Sequence, residues 1–200
     1  MAPARRSSRR RENDAAKRAG YLALAAGLGA IAAGGLLFRR RRPPVRNRAV
    51  PEPARPVDLE RYMGRWYEIA RYENRFERAL EEVTADYRLQ ADGIVEVINR
   101  GVCPAETGAR HESVGKARQV PESGGAKLKV SFFGPFFGDY WVLDHADDYS
   151  WSIVGEPKGR YLWLLTREPE PGPELWEQLL KRVNELGYDD SALRHTRQRS

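Results

Sequence analysis

Between Arg65 and Thr166 the chain falls into eight short runs of alternating character, each cut off by a turn or loop signal. The runs are Arg65 to Tyr72, Val83 to Gln90, Ile94 to Gly101, His111 to Val120, Ala126 to Phe133, Tyr140 to Leu143, Tyr149 to Gly155 and Arg160 to Thr166. Ala91-Asp92-Gly93, Gly124-Gly125, Gly134-Pro135 and Pro157-Lys158-Gly159 punctuate them. A period of two puts successive side chains on opposite faces of a strand. Eight such strands joined by short links predict an all-β, antiparallel up-and-down barrel or sandwich. One α-helix follows, with Pro173 in its first turn, Glu174 and Glu177 near its positive end, Lys181 and Arg182 late, and Gly187 at its stop. Leu175, Leu179, Val183 and Leu186, widened by Trp176 and Leu180, form a stripe that must pack on the outer wall of the sheet. Ala192 to Gln198 reads as a closing edge strand.

Charge separates this domain from what precedes it. Residues 1 to 56 hold 14 Lys/Arg against 3 Asp/Glu, which leaves residues 57 to 200 with 20 basic against 25 acidic. The folded part is therefore acidic, and nucleic acid is excluded as its partner. Cys103 is the single cysteine, so an internal disulfide is excluded and no metal centre built on several thiolates can form. His111, His145 and His195 stand far apart in sequence, without the spacing of a metal site.

Residues 1–18 form a basic, Ser-rich arm with the composition of a disordered segment. Ala19 to Phe38 then carries no charge, and twenty helical residues span roughly 30 Å, the thickness of a bilayer core. The expectation is a transmembrane helix or uncleaved signal anchor at 19–38, with the bilayer as a partner. Ala25, Gly29 and Ala33 put small residues on one face, where a second helix can pack to give a homodimer. A cleaved signal ending at Ala30-Ile31-Ala32 and a twin-arginine signal at Arg9-Arg10-Arg11 are the rival readings. Basic clusters flank both ends of the run and leave its orientation open; an inner-membrane anchor with the domain in the periplasm is favoured, with the outer membrane as the alternative. Residues 39–56, with Pro43, Pro44, Pro51, Pro53 and Pro56, read as a basic, stiff linker before a domain at 57–200.

Strand direction reverses at each hairpin, so the start of the first strand, the end of the sixth and the end of the eighth meet at one end. That brings together Gly64-Arg65-Trp66, Asp148-Tyr149 and Arg167. Arg167 can then lie across the Trp66 indole in a cation–π contact. Gly64-x-Trp66, an Asp-Tyr pair before the seventh strand and an Arg after the eighth, followed by a helix, resemble the lipocalins over about residues 57 to 197. Arg61-Tyr62-Met63-Gly64-Arg65-Trp66-Tyr67-Glu68-Ile69-Ala70-Arg71, Arg75-Phe76-Glu77-Arg78, Leu128-Lys129-Val130-Ser131-Phe132-Phe133-Gly134-Pro135-Phe136 and Tyr161-Leu162-Trp163-Leu164-Leu165-Thr166-Arg167 resemble the bacterial lipocalins related to apolipoprotein D. The resemblance implies an eight-stranded barrel with one C-terminal helix, a binding protein without cofactor or metal, and a small lipophilic ligand such as a fatty acid or lysophospholipid. It assigns Gly64, Trp66, Asp148, Tyr149 and Arg167 to closure of the barrel. Two departures stand out. Asp147 occupies the place where the family often has Thr before its Asp-Tyr pair, and the leader has no Cys to carry the lipid by which such proteins are commonly tethered.

If Trp66 and Arg167 face inward, counting back by twos puts Leu165, Trp163 and Tyr161 in the lumen and Leu162 and Leu164 outside. The same parity puts Leu128, Val130 and Phe132 inside on the fifth strand, and Val83, Ala85, Tyr87 and Leu89 on the second. Phe132, Phe133, Phe136 and Phe137 gather at the opposite, open end as an apolar portal. The expected ligand contacts are Tyr87, Leu128, Val130, Phe132, Phe137, Tyr161, Trp163 and Leu165. A barrel filled by its own side chains would instead serve as an envelope scaffold. An enzyme on this frame would have Glu68 as its lumenal carboxylate, with no partner to make an acid–base pair.

Overall fold

Each strand of the domain hydrogen-bonds to its neighbours in sequence. In the computed structural model, which describes residues 43–53 and 55–199, they are β1 (Gly64–Tyr72), β2 (Glu81–Leu89), β3 (Val95–Cys103), β4 (Ala109–Gln119), β5 (Lys127–Phe133), β6 (Phe136–His145), β7 (Trp151–Gly155) and β8 (Leu162–Thr166). All pairs are antiparallel, and β1 pairs with both β8 and β2, so the sheet closes on itself. A four-residue helix α1 (Leu59–Tyr62), capped by the Asp58 side chain, leads into β1. The expected basic arm and membrane helix lie outside the described residues. Among the described residues no helix is long and apolar enough to cross a membrane.

β1 divides its work. Gly64 to Tyr67 pair with β2, whereas Ala70 to Tyr72 pair with β9 (Leu193–His195). The chain after β9 fills the seam where β1 and β2 part. Thr196 N donates to Ile69 O (2.9 Å), Glu82 N to Arg197 O (2.7 Å), and Gln198 Nε2 to both Glu68 O (2.7 Å) and Val83 O (3.0 Å).

Strand alternation builds two cores. Trp66, Tyr87, Val95, Val97, Ala117, Leu128, Val142, Val154 and Leu165 face inward. Ile69, Leu143, Ile153, Leu162 and Leu164 face outward, under Leu179 and Val183 of α2 (Pro173–Glu185) and Leu186 just after it. Gly187, at φ +81°, lets the chain turn off α2, with Gly187 N and Tyr188 N donating to Asn184 O and Val183 O.

Strand ends shift by a few residues from the sequence expectation, and two of the differences are larger. The sixth strand starts at Phe136 rather than Tyr140, because Gly134-Pro135 make a tight turn and Phe136 pairs at once with Phe133. Residues 43–53 and 55–56, the described part of the expected 39–56 spacer, run along the barrel. Arg46 N and Asn47 N donate to Gly159 O, Asn47 Nδ2 donates to Leu186 O (2.9 Å), Val50 packs on the outer core, and Arg55 Nη1 donates to His145 O (2.8 Å).

Candidate functional site

One end of the barrel is sealed by a single guanidinium. Arg167 Cζ lies 3.8 Å from the centre of the fully buried Trp66 ring system. Its Nη1 donates to Arg65 O (2.7 Å) and its Nη2 to Arg61 O (3.0 Å) and Met63 O (2.9 Å), carbonyls along the path from α1 into β1. Gly64 makes room for this: its φ is +94°, and a Cβ there would stand 3.4 Å from Arg167 Nη1. Trp66 Nε1 donates to Tyr62 O at 2.9 Å. On the facing turn, Tyr149 O accepts from Arg167 Nε (3.3 Å), and Tyr149 Oη accepts from Asp58 N (2.8 Å). The Tyr149 ring is held between His145, stacked at 4.5 Å, and Arg61, whose Cζ is 4.5 Å from the ring centre. Asp148 acts one step back: its Oδ1 accepts from Ser150 N (2.9 Å), and hydrogen bonding from the Ser150 side chain, with this backbone contact, holds its carboxyl below the usual carboxylate range. Asp147 pairs with Arg55 through its carboxylate, while its carbonyl accepts from Arg61 Nη2 (2.9 Å).

Above that floor the lumen is apolar but not dry of oxygen. Leu128, Leu165 and Tyr87 are buried in the inner core, and Val130, Phe132, Trp163, Ala85 and Tyr140 pack against it while staying partly accessible. Phe132 lies flat on Gly115, where a Cβ would come 2.7 Å from its Cδ1. Tyr62, Tyr87, Tyr140 and Ser152 bring four hydroxyls together at the foot of the lumen. Burial pushes the Tyr62 phenol up to about 12 and raises Tyr87 and Tyr140 strongly.

The open end carries a second polar group of residues. A bulge between Glu68 and Ala70 lets Glu68 and Arg71, three positions apart, both face inward opposite Leu165 and Trp163. Glu68 Oε1 accepts from Arg71 Nη1 and Thr196 Oγ1, each at 2.5 Å. Burial, helped by the nearby Glu77 carboxylate, pushes the Glu68 carboxyl up to about 7 against the pull of Arg71. Arg71 Nη2 donates to Glu77 O (2.6 Å) and so ties down the loop after β1, and Trp163 Nε1 donates to Glu77 Oε2 (2.9 Å). Tyr161 stacks on Trp163 at 5.7 Å, with Phe76 beside it.

A sealed floor, an inward apolar wall and a helix outside is the anatomy that the family comparison identifies: the model of a lipocalin-like domain matches residues 57–198. This chain is a lipocalin. It is 41% identical over 153 residues to the outer membrane lipoprotein Blc of Vibrio cholerae, a match covering 74% of this chain and 89% of that protein. Apolipoprotein D of Mus musculus is 32% identical over 151 residues, covering 68% of this chain and 77% of the relative. Among solved structures, insecticyanin from the tobacco hornworm superposes with a TM-score of 0.59 at 21% identity, over 80% of this chain and 87% of that one, and shows the same fold.

Of the expected ligand contacts, this lipocalin places Tyr87, Leu128, Val130, Phe132, Trp163 and Leu165 on its inner wall, with Tyr161 beside Trp163 at the open end. Phe137 is different. It alternates with Asp139 and Trp141, the partners of Lys129 and Lys127 on the outer face, and is 41% exposed. The early start of β6 sets that parity and turns Phe137 to the outside of the rim.

Sequence spacing missed Tyr62, Tyr140, Ser152, Arg71 and Glu77. A helix, three strands and a loop bring them inward, and no local pattern marks them. It also missed the meeting of Cys103, Glu106 and His111 on the β3–β4 hairpin, whose donor atoms lie within 4.8 Å of one another. Among the described residues this is the grouping that could close on a metal ion, although Glu106 is mostly exposed. A surface groove of about 470 Å³ between Glu81, Val102, Pro104 and Arg197 lies outside the barrel.

Proposed function

We propose that this lipocalin binds one single-chain lipophilic molecule, a fatty acid or lysophospholipid, tail-first in the lumen, while residues 19–38 hold it at a membrane of the bacterial envelope. The observation that carries the reading is the uneven filling of the barrel. Inward-facing Val130, Phe132 and Trp163 remain partly accessible, and their neighbours in the wall are paired strands, so that surface is reached from the lumen. The other end is closed by Arg167 over Trp66. Lipocalins as a family take small lipophilic ligands, and the Vibrio cholerae relative is an outer membrane lipoprotein, which supports an envelope setting. Phe76, Phe133 and Phe136, 59%, 49% and 78% exposed, give the open end an apolar rim of the kind that rests on a bilayer surface or guides a chain inward.

Burying about ten methylenes at roughly 0.8 kcal/mol each yields a gross gain near 8 kcal/mol. Ordering the chain and losing its free motion take back several of these, which leaves micromolar affinity. The reading is of binding, not catalysis, because Glu68 is committed to Arg71 and Thr196. The test is a calorimetric titration of delipidated full-length protein with palmitic acid and with a lysophospholipid, alongside mass spectrometry of lipid that copurifies. Saturable one-to-one binding supports the reading. No heat up to millimolar lipid would mean a filled barrel and a scaffold role.

A further inference from the structure

Four hydroxyls stand in a row at the foot of the lumen. Tyr87 Oη is 2.9 Å from Tyr140 Oη, which is 3.1 Å from Tyr62 Oη, which is 3.0 Å from Ser152 Oγ. Four hydroxyls carry four protons, and three contacts between them use three. One O–H therefore has no acceptor within the row, whichever way the protons point. Tyr62, Ser152 and Tyr87 are 1%, 0% and 5% exposed, whereas Tyr140 is only partly buried and faces inward opposite Leu128, so it is the member of the row that borders the lumen. Hydroxyl rotation can carry the unused proton to that position.

A spare acceptor faces the same lumen from β3, the strand paired with the one that carries Tyr87. Asn99 shares the inward face of β3 with Val95 and Val97, and it sits opposite Ala85, two residues from the Tyr87 and Val97 pair. Its Oδ1 is out of contact with solvent and has no hydrogen-bond partner among the described residues. A lumen built only for a hydrocarbon chain has no use for either group. An unmet buried donor or acceptor costs free energy that a plain methylene cannot return.

We propose that the preferred ligand carries a neutral oxygen function, a hydroxyl or ketone, partway along its lipophilic chain, and that Tyr140, Tyr87 and Asn99 are the specificity-determining residues that read it. A hydroxyl answers both groups at once, accepting from the tyrosine row and donating to Asn99 Oδ1. An ionised group does not fit there, because the surroundings that raise the pKa of all three phenols oppose negative charge, so a terminal carboxylate stays at the mouth. This inference rests on the lumenal binding proposed above.

The experiment is displacement of a fluorescent polyene fatty acid from the full-length protein. The competitors are stearic acid and a set of monohydroxystearic and ketostearic acids substituted at successive positions. At least one positional isomer should compete about 3- to 10-fold better than stearic acid, the gain expected of one or two neutral hydrogen bonds. In the Tyr87→Phe/Tyr140→Phe double variant the ratio between the favoured isomer and stearic acid should fall to about one, whatever the absolute affinity of each. Asn99→Val, which leaves the tyrosine row intact, should reduce the advantage on its own and carries the test if the double variant does not fold. The proposal is overturned if stearic acid binds and no isomer exceeds it, or if the advantage survives in the variants. If no competitor displaces the probe, the lumenal binding reading fails with it.

Discussion

Glu68 and Arg71 meet at 2.5 Å inside the barrel wall, although they stand three residues apart on a strand whose side chains should alternate. The guanidinium is fully buried, and it is shared with Glu73 at 3.5 Å and with the backbone of the loop after β1. One cation thus serves several carboxylates, and the most buried of them, Glu68, holds its proton up to about pH 7.

A pH dependence of stability follows from that placement. Glu68 has a folded-state pKa above its ordinary value of 4.5, so from about pH 4.5 to about pH 7 the unfolded chain loses this proton while the folded chain keeps it. The contribution is fully present below the lower value and is lost as pH rises through the upper one. Urea midpoints measured from pH 4.5 to 8 should fall over that window, and Glu68→Gln should flatten the fall. An equally steep fall in the variant would assign the effect to another group.

The division between what the sequence carried and what it did not follows the strand geometry. Where β8 and β5 run without interruption over their inward residues, counting by twos placed Leu165, Trp163 and Leu128 inside and Leu162 and Leu164 outside, as observed. The same reasoning brought Trp66 and Arg167 to one end. It failed where an extra residue shifts the pairing. The bulge between Glu68 and Ala70 turns Arg71 inward, and with the shift between Val130 and Phe133 it is Tyr140 that stands against Leu128. Such insertions have no signature in a single sequence, because the residues at them are ordinary ones. The hydroxyl row was hidden for the same reason, since its members come from α1, β2, β6 and β7.

Arg167→Ala should destabilise the domain by about 1–3 kcal/mol, through loss of the stack on Trp66 and of donors to the carbonyls of Arg61, Met63 and Arg65. Because these contacts close the floor and not the lumen, affinity for palmitic acid should change less than twofold once the variant is folded. Thermal denaturation and calorimetry on the same preparation check both halves. A stable variant unable to bind lipid would reverse the roles assigned to the two ends.

Gly115→Ala probes the wall. The added methyl would stand 2.7 Å from both the Phe132 ring and the Ser131 carbonyl, and the backbone oxygen cannot swing aside. Phe132 must move into the lumen, at a stability cost of about 1–3 kcal/mol for overpacking. Long-chain ligands should bind more weakly than in the parent, and short ones should suffer less. Equal losses for chains of all lengths would place Phe132 away from the path of the ligand.

Residues 19–38 should remain attached in the mature protein, since an uncharged run of bilayer length precedes the domain. Cell fractionation followed by sequencing of the mature N-terminus decides this. A soluble protein beginning near Ala33 would identify the run as a cleaved signal.

Trp163 offers a direct report on occupancy. It faces the lumen opposite Arg71, stacks on Tyr161 at 5.7 Å and donates through Nε1 to Glu77 Oε2 at 2.9 Å, so one ring touches the lumenal wall, the rim and the loop over the mouth. A chain entering past it must change its surroundings, and tryptophan emission should shift as palmitic acid is added. In Trp163→Phe the ring volume largely stays while the hydrogen bond to Glu77 is lost. The fluorescence response should then disappear while calorimetry still records binding, weakened about 2- to 10-fold by the freed loop. If the emission change persists in this variant, another tryptophan reports the event. If neither emission nor heat changes in the parent protein, the ligand does not pass Trp163, and the lumen is not entered from the open end.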